Sequence, residues 1–465
     1  MKKQKPGNHL LFCFIWVLGI FCGIFSWKQA IAQEQPSDTV KGYSITKEKI
    51  KKGWNLGALP IVGYNTDIGF QYGAFANIYH YGDGSWYPKY FHSIYVEVSR
   101  TTKGGGINQI FYDSEKLIPH IRVTADATYL TERALDFYGF NGYKSVYNHS
   151  WENQDNKTSY KSRVFYRDER LLFRFALSFQ GKFLTPKMRW LAGFTVCNAQ
   201  MDSVDVDRLN KGKKESDKLP HIKGLYGNYV DWGIIKPDEA KGGMNNFFKL
   251  GLIYDSRDNE PNPQKGIWSE IVFQMAPEFL SNNSYGFIKA AVIHRQYFTL
   301  IKERLSFAYR LAYQGTIAGK VPYYMQPIML NSFELTTTID GLGGSRNLRG
   351  ILRDRVVGDG IAYGNAEFRW KFYHFRLFRQ NFYMALNTFA DAGMVVQEIP
   401  VDKSRIPSNL VNEYFSDTPE YPHLCIGAGY RIAMNQNFII CCDYGQVVDK
   451  RDGSSGVYVG FGYLF

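Results

Sequence analysis

Between Ile121 and Tyr129 the chain alternates without a break: Ile121, Val123, Ala125, Ala127 and Tyr129 are apolar, and Arg122, Thr124, Asp126 and Thr128 between them are polar. Successive side chains of a strand point to opposite faces, whereas residues three or four apart share a face in a helix. The pattern therefore yields one apolar face only as a strand; a helix would scatter both sets around its circumference. The same alternation returns where Ala366, Phe368, Trp370 and Phe372 are separated by Glu367, Arg369 and Lys371. It returns again at the end of the sequence, where Val457, Val459, Phe461, Tyr463 and Phe465 fall on one face.

What such strands build follows from the solvent they must satisfy. The chain has 33 Tyr, 34 Phe, 9 Trp and 44 Gly, yet its mean hydropathy is below zero. A β-barrel in a membrane reconciles the two, because its outer face is apolar, its inner face is polar, and interfacial girdles and tight turns call for aromatics and glycine. Past Ala32 no apolar stretch is long enough for a transmembrane helix. Before it, Lys2, Lys3 and Lys5, the apolar run from Leu10 to Phe25, and Ala30-Ile31-Ala32 read as a secretory signal peptide over residues 1–32. Residues 33–54 are then a short periplasmic lead, and 55–465 the barrel.

Sixteen segments read as strands, from 55–64 to 456–465, the sixth running unbroken from 160 to 182. The four long connections, 134–159, 201–245, 318–360 and 397–423, then all follow odd-numbered strands. With an even strand number and a periplasmic start, that places every long loop outside the cell and the short turns in the periplasm. The expected fold is all-β: a 16-stranded antiparallel transmembrane barrel.

Soluble functions are poorly served by this sequence. Of the formal net charge of +12, four Lys lie in residues 1–32, and the remaining excess is spread along the chain without blocks, which argues against nucleic acid as a partner. The sequence has no G-x-S-x-G elbow, H-E-x-x-H helix or Walker loop, and no Cys or His spacing that suits a metal, so no cofactor or metal is expected and the chain does not read as an enzyme. The enzymatic alternative is a rim Ser/His/Asp set assembled across strands, which leaves no local motif.

One connection stands out. Asp340 to Gly360 reads DGLGGSRNLRGILRDRVVGDG, with six Gly and the four arginines Arg346, Arg349, Arg353 and Arg355. Glycine allows left-handed turns and close backbone approach, so such a segment can fold back into a confined lumen. Its arginines then need partners. Glu367 and Asp391 both fall on polar faces of the following strands, where an inward carboxylate is costly unless paired, and a guanidinium between them can bond both in plane.

Leu348-Arg349-Gly350, the GNAEF run around Glu367, the FADAG run around Asp391, the YDSRDNEPNPQKG run from Tyr254 to Gly266 and FYGFN at Phe137 to Asn141 occur in the order found in the BamA/TamA bacterial surface antigen superfamily. The chain resembles that family over roughly residues 55–465. The resemblance implies a loop between strands eleven and twelve folded into the lumen, with Arg349 and Gly350 at its tip clamped to Glu367 and Asp391. It departs from the family pattern at Ile351, where an aromatic residue is usual, and in lacking the periplasmic POTRA modules. Asp255, Arg257, Asp258, Pro263 and Gly266 read as a charge-tied periplasmic turn, and Phe461, Tyr463 and Phe465 as the C-terminal signal for barrel insertion. The function implied is insertion or translocation of proteins, or lipid, at the bacterial outer membrane, with membrane lipid, client barrels or a periplasmic accessory subunit as partners. The alternative is a passive or plugged pore, or a structural outer-membrane protein.

Overall fold

Along Ile121–Asp136 the inward residues Thr124, Asp126 and Thr128 are buried while Tyr129 is exposed, an arrangement opposite to that of a water-soluble sheet. The same inversion runs round the whole molecule. Leu250, Leu252, Val292, Phe368, Trp370, Leu386 and Ile426 are exposed, and Glu97, Asp126, Lys289, Arg310, Glu367, Asp391 and Arg431 are buried. An exposed apolar belt of this extent requires a partner that is not water, and lipid fits it. No helix among the described residues is long and apolar enough to cross a membrane.

The computed structural model describes residues 38–40, 43–45, 50–87, 89–260, 262–332, 340–377, 380–434 and 438–465. The chain divides into two units, Met1–Lys49 and Ile50–Phe465. In the first, Asp38–Val40 and Tyr43–Ile45 pair as an antiparallel hairpin; the expected signal peptide at 1–32 lies outside the described residues. The second is the closed barrel. Its strands are β1 (Trp54–Asn65), β2 (Gly69–His80), β3 (His92–Thr101), β4 (Gly105–Ile118), β5 (Ile121–Asp136), β6 (Arg167–Phe183), β7 (Thr185–Ser203), β8 (Phe247–Asp255), β9 (Gly266–Ala276), β10 (Phe287–Ile301), β11 (Leu305–Gly319), β12 (Gly360–Leu377), β13 (Gln380–Gln397), β14 (His423–Met434), β15 (Phe438–Val447) and β16 (Ser455–Phe461). A short piece, Gly242–Met244, continues β8 along β7 beyond a break at Asn245 and Asn246, so the ring counts sixteen strands among the described residues. Each strand is antiparallel to its neighbours.

Three expectations need correction. The sixth strand begins at Arg167, because residues 160–166 belong to the preceding connection. The last strand stops at Phe461 rather than reaching Phe465: Gly462 adopts φ +84°, a conformation that L side chains rarely take, and turns the chain out of the sheet. The aromatic residues, finally, are not confined to girdles and turns. Tyr138, Phe140, Trp151, Phe165, Tyr166, Tyr229, Trp232, Tyr324, Tyr414 and Phe415 lie in the four long connections and form one buried cluster. Phe137 and Tyr229 meet edge to face at 5.4 Å, as do Trp232 and Tyr414 at 5.0 Å, geometries favoured by the ring quadrupole. The long connections thus share a hydrophobic core with adjoining strand residues such as Leu130, Leu172 and Met201, and cap one end of the barrel.

The ring closes weakly. β1 pairs with β2 from Trp54 to Asn65, and β16 with β15 from Ser455 to Phe461. Between β1 and β16 only Asn65↔Tyr458 and Tyr64↔Val459 are in register, with Thr66 and Val457 exchanging bonds at the end of β1.

Candidate functional site

The segment between β11 and β12 is built around Asn347. Its side-chain Oδ1 accepts from Gly343 N at 2.7 Å, and its Nδ2 donates to the Gly341 carbonyl at 2.6 Å, closing the glycine-rich stretch on itself. Its main-chain carbonyl accepts from Asn365 Nδ2 at 2.6 Å, which ties the turn to β12. Leu342, Leu348, Ile351 and Val356 are wholly buried and pack with Ile361, Val395 and Val447. Ile351, the departure from the family pattern, fills a place in this apolar cluster.

At the tip, Arg349 is 1% exposed. Its Nη1 donates to Glu367 Oε1 at 2.5 Å, while Nε and Nη2 donate to the two carboxylate oxygens of Asp391, both at 2.9 Å. The Arg349 main-chain N–H adds a bond to Asp391 at 3.1 Å, and the guanidinium lies 3.4 Å from the centre of the Phe389 ring. Gly350 N–H donates to the Tyr458 hydroxyl at 2.9 Å on β16. At φ +106° Gly350 lies so close to β15 that a Cβ there would come within 2.6 Å of the Gly445 carbonyl carbon. The structure therefore brings together Arg349, Gly350, Glu367 and Asp391.

Other members of the network were not singled out from sequence. Arg369 Nε donates to the second oxygen of Glu367 at 2.9 Å, so that carboxylate lies between two guanidiniums. Asp443 is 3.7 Å from Arg349 and is held by both terminal nitrogens of Arg431. All three lie on polar faces, and Arg369 falls two residues after Glu367, so period two could have flagged them. Farther along the segment, Arg353 donates to Glu132 on β5 at 2.6 Å, Asp340 pairs with Arg170 on β6, and Arg355 donates to the carbonyls of Gly142 and Ser145. Asn141 of FYGFN donates its N–H to Val357 and exchanges side-chain bonds with Ile399 at 2.8 Å, joining three of the long connections.

The turn between β8 and β9 stands apart from this network. Asp255 accepts from Arg257 and, at 2.7 Å, from Arg189 on β7. Asp258 accepts from the main-chain N–H groups of Gln264 and Lys265. Pro263 is buried, and Gly266 at φ +105° abuts the Ser256 carbonyl. The three residues at the end of the sequence separate: Phe461 is 46% exposed on the outer face, whereas Tyr463 and Phe465 turn inward, their rings 4.3 and 5.2 Å from the Arg369 guanidinium.

A family model for the Omp85 superfamily domain matches residues 121–465. The chain belongs to the Omp85 superfamily. Among solved structures this Omp85 chain is similar to BamA from Haemophilus ducreyi lacking POTRA domains 1–3, at 12% identity and a TM-score of 0.52, over 92% of this chain and 75% of that one. It is similar to CdiB from Escherichia coli at 12% identity and a TM-score of 0.53, over 91% of this chain and 66% of that one, just under two thirds of its length. At such identities the likeness is one of fold. No curated protein matches the chain.

Proposed function

We propose that this Omp85 barrel sits in the bacterial outer membrane and admits a client β-strand or a lipid through the seam between β1 and β16. The observation that carries the proposal is the seam itself: two register pairs close the ring there, against seven between β15 and β16 and twelve between β1 and β2. Strand edges left unpaired are templates for new strands, and β1 leaves Trp54 to Gly63 without a partner in β16. The apolar belt supplies the contact with lipid, and insertion or translocation of outer-membrane proteins is the function this supports. A periplasmic accessory subunit is the further partner expected. None of these roles calls on bond-making chemistry, cofactor or metal.

Within that reading the Arg349 segment is a lumen clamp. It reaches β5, β6, β12, β13, β15 and β16, and a place inside the barrel accounts for contacts with strands so distributed around the ring. The Asp255 turn serves as a rigid periplasmic link, and the terminal aromatics as the insertion signal. Replacing Tyr64 and Val459 by cysteine, in a chain whose other cysteines are serine, tests the seam. Oxidation should abolish client assembly in proteoliposomes and reduction should restore it. If the locked barrel assembles clients at the reduced rate, the seam does not open.

A further inference from the structure

We propose that the cavity between β10, β11 and β12 binds a small oxyanion, a phosphate or carboxylate group. Arg295 on β10 and Arg310 on β11 are direct cross-strand partners. Like charges facing each other across an antiparallel pair destabilise it, yet both guanidiniums line one cavity of about 150 Å³ together with Arg346 from the Gly/Arg-rich segment. Among the described residues the rest of the lining is neutral, including Gln314, Asn331 and Tyr363.

Arg310 is 5% exposed, and its recorded hydrogen-bond acceptors are neutral: Nε donates to Asn365 Oδ1 at 2.8 Å and Nη2 to the Arg346 carbonyl at 3.2 Å. Aromatic rings of Tyr363 and Phe465 flank it at 5.0 and 5.1 Å. Among the described residues no carboxylate is within ion-pair distance of Arg310. Asp391, an acid near Arg310, is already held by Arg349. A buried charge with neutral partners is costly. An oxyanion beside the Arg310 guanidinium would give it a charge-assisted, two-pronged partner. The volume suits this class of ligand. It has room for about five waters and is smaller than the roughly 300–1,000 Å³ of sites that hold larger organic ligands, so a phosphate group fits and an acyl chain does not. The inference needs no opening of the seam.

The test is thermal unfolding of the full chain in detergent, with inorganic phosphate compared against sodium chloride at matched ionic strength, and with ³¹P line broadening as a second readout. A saturable rise in Tm beyond the chloride control is expected. Arg310→Gln and Arg346→Gln should each weaken the apparent phosphate affinity at least tenfold. Arg346 is exposed, so its variant remains informative should Arg310→Gln not fold. A parallel arm with a short-chain phosphatidate tells a free anion from a lipid headgroup; a response to either supports the site. No response beyond chloride in both arms overturns the proposal, as does a response of parental strength in both variants.

Discussion

Arg349 and Asp391 form a two-pronged ion pair, Nε to Oδ2 and Nη2 to Oδ1 both at 2.9 Å, in a setting where each residue is 1% exposed. Removing one partner of a buried pair leaves the other charge uncompensated, which costs about 3–5 kcal/mol. Arg349→Ala leaves Asp391 without its two-pronged partner and Glu367 with Arg369 alone, so the variant should unfold at a clearly lower temperature in detergent. Arg349→Lys should fall between it and the parent, since an ammonium cannot bridge both carboxylates in plane. Planar-bilayer recordings separate a clamp from a plug: a raised open probability in Arg349→Ala marks a plugged pore. Unchanged stability and conductance together would falsify both readings.

The barrel was legible in the sequence because lipid outside and polar groups inside impose period two on every strand, and Asp126, Thr128, Glu367 and Arg369 fall on the buried side as that rule requires. Glu367 and Asp391 could be picked out as inward carboxylates on the strands after the Gly/Arg-rich segment. The cap could not be read in the same way. Its apolar residues carry no periodicity, and partners such as Phe137 with Tyr229, or Trp232 with Tyr414, come from different connections. The turn at Gly462 was hidden for a local reason: alternation continues through Tyr463 and Phe465, while a positive φ at one glycine ends the strand.

The β1–β2 turn gives the Gly/Arg-rich segment a pH-sensitive contact. Asp67 accepts from Ser345 N at 3.3 Å. Burial pushes its carboxyl up from 3.8 to about 7, Asp136 adds to the shift, and Arg353 and Lys103 oppose it. The folded chain therefore keeps a proton that the unfolded chain releases. For an acid shifted upward, the resulting stability is complete below the unfolded value of 3.8 and is lost as the pH rises to about 7. Melting temperatures across that window should fall with pH in the parent and fall less in Asp67→Asn. Parallel curves for the two proteins would remove Asp67 from the account.

Phe465 offers a way to tell an insertion signal from an interior packing residue. Its ring is 6.3 Å from Tyr297 and 5.2 Å from the Arg369 guanidinium, and it is 9% exposed in the folded barrel. Phe465→Ala creates a cavity, which for a buried aromatic costs about 3–5 kcal/mol. As packing alone, the loss should show in the melting temperature of purified protein with normal amounts in the membrane. As an insertion signal, it should lower the folded amount recovered from membranes while unfolded precursor accumulates. Phe465→Leu, which keeps bulk without the ring, should restore stability in either case, while in the second the folded amount in membranes should stay low.

Gly350 and Gly445 bring the tip of the segment against β15 backbone to backbone. A Cβ on Gly445 would collide with the Arg349 carbonyl oxygen, and one on Gly350 would meet Gly445 while forcing an L side chain to φ +106°. Main-chain atoms on both sides leave no flexible end to give way. Overpacking of this kind costs about 1–3 kcal/mol, with backbone strain of about 1–3 kcal/mol more at Gly350. Gly350→Ala should therefore be the more damaging of the two, and both should lift the tip away from Tyr458. Tyr458→Phe removes the acceptor of the Gly350 N–H without adding bulk, and should cost only about 1 kcal/mol. The ranking Gly350→Ala, Gly445→Ala, Tyr458→Phe in order of decreasing loss can be read from unfolding temperatures and from protease access to the 340–360 segment. A Tyr458→Phe effect as large as that of Gly350→Ala would mean that the hydrogen bond, rather than the close backbone approach, seats the tip.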